Sequence, residues 1–215
     1  MLFRSETVGE QNLHPFLYEG YKLALAHNGE LADFAQMRFS LVPYLKPMIA
    51  ARIRGNTDSE WIYALFLSQF ENPAADHSVE EISEAVIRLL RILRTVREQH
   101  GINTSSSVNL VISDGSQLVA VRFAFDFGCY SLDPLARIQE TAFSFLSMWY
   151  TRGGEYGYHD GEWKMIGGQQ ADSIIISSEP LTDDFSTWLE VPEYSILHAR
   201  RTGETLQLGR IELKA

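Results

Sequence analysis

The chain has 215 residues, 45% of them apolar and 21% charged, enough for one large domain that buries its core without metal or disulfide staples. Its formal net charge of −10 argues against a nucleic-acid binder, which carries a basic face. The single cysteine, Cys129, rules out an intrachain disulfide and any metal site built on several thiolates, and no apolar run reaches membrane-spanning length. The N-terminal MLFRSETVGE has no basic stretch leading into an apolar core, so a reducing, cytoplasmic setting is expected.

Residues 21–26 read as a short strand closing at Asn28-Gly29, a pair common in tight turns because both residues tolerate positive φ. Residues 31–45 are apolar enough for a helix that Pro47 ends or interrupts. A second apolar stretch, 48–53, stops at Gly55. Thr57 and Glu60 stand at capping-box spacing ahead of Trp61, Ile62, Leu65 and Phe66, an almost all-round apolar helix that belongs in the core. The clearest helix is 79–100. Ser78 and Glu81 repeat the capping-box spacing, Val79, Ile82, Val86, Leu89, Leu93 and Val96 keep a three-four period, and Gly101 stands at the C-cap. Arg88, Arg91, Arg94 and Arg97 fall on its other faces and read as a solvated side.

Beyond Gly101 the period changes to that of strands. Residues 108–112 and 118–125 flank Asp114-Gly115, a hairpin signal, and 143–150, 161–166, 173–177, 195–200 and 205–213 follow, with turns at Asp160-Gly161 and Thr202-Gly203. Helices early and strands late predict an α+β fold rather than an alternating doubly wound sheet.

Three short words occur in order in the first quarter: Asn12-Leu13-His14-Pro15-Phe16, Ala26-His27-Asn28-Gly29-Glu30 and Gly55-Asn56-Thr57-Asp58-Ser59-Glu60. Each has a bland reading. Asn28-Gly29 suits a turn, Asp58 suits the first turn of a helix, His14 before a proline suits an extended loop, and Arg4 suits the surface. Taken together with Arg4 and Thr7-Val8-Gly9, they resemble the class-II glutamine amidotransferases, whose pattern runs from an arginine near Thr-x-Gly through H-P and H-N-G to T-D-S/T-E. The longer words NLHPF, AHNGEL and GNTDSEWIYALFLS look most like the branch of γ-glutamyl-compound hydrolases, as do Ser113-Asp114-Gly115 and Ser178-Glu179-Pro180-Leu181.

That resemblance implies a four-layer αββα sandwich and hydrolysis of a glutamine-type side-chain amide by a cysteine whose own α-amine is the base, with no cofactor and no metal. Asn28, through its side-chain amide, and Gly29, through its backbone N–H, would steady the oxyanion. Arg4 would clamp the substrate α-carboxylate, Asp58 its α-ammonium, and His14 would position rather than exchange protons. His27 would be structural.

In this family the nucleophile stands well before the arginine motif, which here begins at residue 4, and removal of Met1 would expose Leu2. Residues 1–215 are therefore expected to form one domain that lacks its N-terminal strands, an incomplete sandwich with an open sheet edge. Cys129, without an α-amine, is expected to be inert. Three functions remain in view: an amidohydrolase of glutamine or a γ-glutamyl compound completed by a cysteine segment, a non-catalytic module that binds glutamate or γ-glutamyl groups, and a partner subunit of a larger enzyme.

Overall fold

The structure, a computed structural model, describes residues 9–127, 147–168, 171–203 and 205–213. Arg4, Thr7-Val8, Cys129 and the start of the strand expected at 143 lie outside the described residues. The strands are β1 (Ala24–Glu30), β2 (Ser106–Ser113), β3 (Gln117–Arg122), β4 (Ala124–Phe125), β5 (Trp149–Gly153), β6 (Glu155–His159), β7 (Glu162–Ile166), β8 (Ser173–Ser177), β9 (Leu189–Glu190), β10 (Ser195–Thr202) and β11 (Thr205–Glu212). The α-helices are α1 (Phe34–Met37), α2 (Pro47–Ala50), α3 (Asp58–Leu67) and α4 (Val79–Gln99).

The main sheet is antiparallel in the order β1-β2-β3-β10-β11, with β4 pairing beside β3 on β2. Alternation along each strand sends one residue set to each face. On one face Leu25, Leu110, Ile112, Val121 and Ile196 pack with Ile62, Phe66, Val86, Leu89 and Leu93 of α3 and α4. On the other, Ala120 and Leu197 meet Tyr150, Ile174 and Ile176 of a smaller sheet, ordered β8-β5-β9, and the flanking Met148 and Val191. The fold is α+β. The described residues hold three layers, helix–sheet–sheet, of the four the resemblance implies.

Local sequence accounts for the firmest elements. Ser78 and Glu81 form a complete capping box on α4, and the N–H of Ile102 closes on the Arg97 carbonyl around Gly101, whose φ is 66°. Nine of the ten residues of α3, Ser59 to Leu67, are buried, as its apolar surface demands. The turn between β6 and β7 uses two left-handed residues, Asp160 and Gly161, with φ of 52° and 91°.

Several expectations needed correction. Asn28-Gly29 is no turn: β1 continues through Glu30 in unbroken register with Ser107. The helix expected at 31–45 is the short α1 followed by a 3-10 segment, Arg38–Tyr44, because Asp33 takes a left-handed φ of 54° and Pro43 offers no N–H. Arg97 is no part of a solvated face. It is 1% exposed, with its guanidinium on Ser106 Oγ at 2.6 Å, Thr104 O at 2.5 Å and Asp126 Oδ2 at 2.9 Å. It ties the end of α4 to the start of β2. β6 and β9 had no clear strand signal in the sequence.

Candidate functional site

The His14-Pro15, His27-Asn28-Gly29 and Thr57-to-Glu60 words converge at the end of β1. The segment through Pro15, reached by a cis peptide bond, brings Phe16 alongside Leu25, and the two exchange backbone hydrogen bonds of 2.8 and 3.0 Å. This bridge lies on the outer side of β1, away from β2. In an antiparallel ladder the backbone groups of alternate residues point the same way. The N–H of Gly29 therefore faces that outer side too, while Asn28 bonds inward to its partner Asn109.

Side chains divide between the two faces of the sheet. His27 points to the helices and is 5% exposed, with Nδ1 2.9 Å from Ser59 Oγ and Nε2 3.2 Å from Ser107 O. A carbonyl can only accept, so Nε2 carries the proton and, in the neutral ring, Nδ1 accepts from the Ser59 hydroxyl. Asn28 points to the opposite, inter-sheet face, as does Asn109, whose Nδ2 reaches Ser147 O at 3.4 Å. The Asn28 Oδ1 is buried and has no hydrogen-bond partner among the described residues.

The residues of the third word hold several different pieces of backbone. Thr57 Oγ1 caps α3 by accepting the Glu60 N–H at 3.4 Å. Asp58 Oδ2 accepts the Leu31 N–H at 2.8 Å, just past β1, and Oδ1 accepts the Ser59 N–H at 2.7 Å. Ser59 braces His27. Glu60, 2% exposed, does not complete the capping box. It turns to the preceding loop and accepts the N–H groups of Arg54 at 2.9 Å and Gly55 at 2.5 Å, and the Tyr18 hydroxyl at 3.2 Å. Burial, and then the Glu60 carboxylate, push the Tyr18 phenol far above its ordinary range. Burial likewise raises Tyr63, whose hydroxyl bonds Leu23 O at 2.9 Å, to about 12.

Glycine is required at Gly29, where backbone blocks a side chain, and a Cβ at Gly55 would displace two side chains. A Cβ on Gly29 would collide with the Ser107 carbonyl oxygen and sit 2.7 Å from Ser107 Oγ; one on Gly55 would strike Asn12 Oδ1 and lie 2.8 Å from Glu60 Oε2. Asn12 Nδ2 also bonds Asn56 Oδ1 at 3.3 Å, so the first and third words touch directly.

Of the residues singled out from sequence, His14, Asn28, Gly29 and Asp58 are gathered around one strand end. His14 is exposed, edge-on to Phe16 at 4.9 Å. Its pKa is lowered by desolvation first and by the neighbouring His27 second, with Asp58 opposing, which places it within electrostatic reach of both. Sequence reading passed over the structural part of Ser59, gave Glu60 a capping-box role where it holds the 54–55 loop instead, and had no signal for Ser107. Among the described residues no group of three His, Cys, Asp or Glu side chains could hold a metal ion, and no helix is long and apolar enough to cross a membrane.

This convergence is matched by family-level similarity. Residues 3–128 match the family model of class-II glutamine amidotransferases. The chain belongs to that family. Over 212 residues it is 27% identical to the Saccharomyces cerevisiae protein "Probable glutamine amidotransferase DUG3", covering 92% of this chain and 56% of that protein. The chain thus spans about half the length of this curated relative. Among solved structures, a glutamine aminotransferase class-II domain protein from Silicibacter pomeroyi superposes with a TM-score of 0.61 at 21% identity, over 96% of this chain and 74% of that one, and shows the shared fold. A Pseudomonas aeruginosa structure described as a "predicted glutamine amidotransferase" is 25% identical, with a TM-score of 0.47 over 89% of this chain and 63% of that one.

Proposed function

We propose that this domain holds the recognition half of a glutamine-type amidohydrolase site, acting on the side-chain amide of glutamine or a γ-glutamyl compound. The nucleophile in this reading is an N-terminal cysteine whose α-amine serves as base. The 215 residues contain one cysteine, the internal Cys129, which has no such amine. Asn28 Nδ2 and the Gly29 N–H would donate to the oxyanion, Asp58 would take the substrate ammonium, Arg4 its carboxylate, and His14 would flank the entrance.

The observation that carries the reading is the uncommitted chemistry at the end of β1. The Gly29 N–H is directed to the outer side of β1, next to Asp58, whose carboxylate holds the Leu31 N–H just past the strand. Asp58 fits its role with capacity to spare. A carboxylate has about four acceptor positions, and Leu31 N–H and Ser59 N–H use two.

Calorimetric titration with L-glutamate tests the pocket. Asp58→Asn keeps an oxygen for the Leu31 N–H but removes the charge, and it should weaken binding about tenfold or more, as expected for loss of a charge-assisted bond. Equal affinity in the variant would remove Asp58 from the site. Binding by residues 1–215 with no amide hydrolysis in any form bearing the cysteine would favour the alternative of a glutamate- or γ-glutamyl-binding module or partner subunit.

A further inference from the structure

We infer that this chain associates head to tail with further copies of itself, the outer surface of the helix layer on one copy docking against the outer surface of the smaller sheet on the next. The two surfaces carry opposite charge around exposed apolar side chains, and they lie on opposite sides of the main sheet. The inference is independent of any reaction at the end of β1.

Charge is segregated along the sequence. Between Asp33 and Asp58 the chain has no acidic residue, but it has Arg38, Lys46, Arg52 and Arg54. Between Lys164 and Arg200 it has six acidic residues and no lysine or arginine.

The basic stretch forms the outside of the helix layer. Its 3-10 segment packs on α3 and α4, and α2 packs on α3. Helices α3 and α4 in turn cover one face of the main sheet. Phe39 is 67% exposed and Met48 63%, and Val42 is exposed as well. The Arg38 guanidinium lies 4.6 Å from the Phe39 ring and that of Arg52 5.3 Å from the Tyr21 ring. Arg38, Arg52 and Arg54 have no carboxylate partner among the described residues. A guanidinium laid on a ring keeps its edge donors for an incoming carboxylate.

The acidic stretch contains β8 and β9 of the smaller sheet, which covers the opposite face of the main sheet. Thr182 Oγ1 accepts the indole N–H of the buried Trp188 at 2.9 Å, which folds the segment between them into a loop. Leu181 and Phe185 on this loop are 56% and 61% exposed. Glu179 and Asp183 beside them are exposed and have no ion pair among the described residues.

Exposed apolar groups rimmed by charge mark contact sites. One surface lacks anions and the other lacks cations, so a single chain carries both halves of a complementary contact. Pairing either surface with its own kind would set like charges together, which disfavours a two-fold dimer. Placed on opposite sides of the main sheet, the two surfaces of one copy face different neighbours. The contact is then heterologous and repeats from copy to copy, as a ring or a filament.

Sedimentation velocity tests this. The weight-average mass of the parent should climb past twice the monomer as its concentration rises, and should fall as added salt screens the charges. Phe39→Ser with Met48→Ser spoils the first surface, and Leu181→Ser with Phe185→Ser the second. All four side chains are exposed, so circular dichroism should match the parent. Each double variant alone should stay monomeric. Mixed together, the two retain one good surface of each kind and should form a 1:1 pair that grows no further. Glu179→Gln with Asp183→Asn, which keeps every apolar group, should weaken assembly and reduce its sensitivity to salt. A parent that stays monomeric to millimolar concentration, growth that stops at a dimer, variants that assemble like the parent, or a mixture that does not pair would each overturn the inference.

Discussion

The two faces of the main sheet treat their polar residues in opposite ways. On the helix face His27, Ser59, Asp58 and Glu60 are all bonded to specific backbone or side-chain partners, and they sit against the large core that α3 and α4 build. On the inter-sheet face the core is small, and Asn28 Oδ1 and Ser107 Oγ are buried without partners among the described residues. Residues only one position apart in the word His27-Asn28 thus meet different surroundings: both ring nitrogens of His27 are bonded, while the Asn28 Oδ1 has no partner among the described residues. A short motif therefore need not consist of residues with one role, since alternation along a strand deals its members to opposite sides.

Mutations on each side sharpen the contrast. The largest effect is expected at Phe66, fully buried on the helix side, where Phe66→Ala should cost about 4 kcal/mol in urea unfolding through the cavity it leaves. Glu60→Ala should cost about 3 kcal/mol, because it strands the Arg54 and Gly55 N–H groups and the Tyr18 hydroxyl together. A loss below about 1 kcal/mol would mean that the loop at 54–55 is not held by Glu60.

Titration gives a subtler difference. Tyr63 ionises near its ordinary value in the unfolded chain but only at about 12 in the fold. Its contribution is thus fully present below pH about 10 and is lost as pH rises from there toward its folded value. Unfolding curves between about pH 10 and 12 should show declining stability, and Tyr63→Phe should flatten that decline. The smallest effect is expected on the other face. Asn28→Ala removes a buried oxygen with no partner among the described residues, so its stability should stay within about 0.5 kcal/mol of the parent or rise.

Elements with strong local signals were legible from the sequence. The capping box at Ser78 and Glu81, the glycine stop at Gly101 and the Asp114-Gly115 hairpin each depend on a few adjacent residues, and each stands where the pattern put it. Tertiary contacts decided the rest. Asn28-Gly29 has turn chemistry, but pairing with β2 and the anchoring of Leu31 by Asp58 draw it out as strand. Arg97 continues an arginine series at helical spacing, yet partners on β2 and at Asp126 let it be buried. The candidate site was legible as a set of words in order. Which side chains are engaged and which are left available depends on register, and that information lies in β2, some eighty residues from the motif it serves.

Turnover of glutamine by Asn28→Ala, in a polypeptide carrying the N-terminal cysteine, tests the assignment of the oxyanion site most directly. The account predicts that kcat falls about 10²–10³-fold while KM stays within about threefold, because the donor acts in the transition state rather than on the bound substrate. A variant that keeps the parent kcat would contradict it.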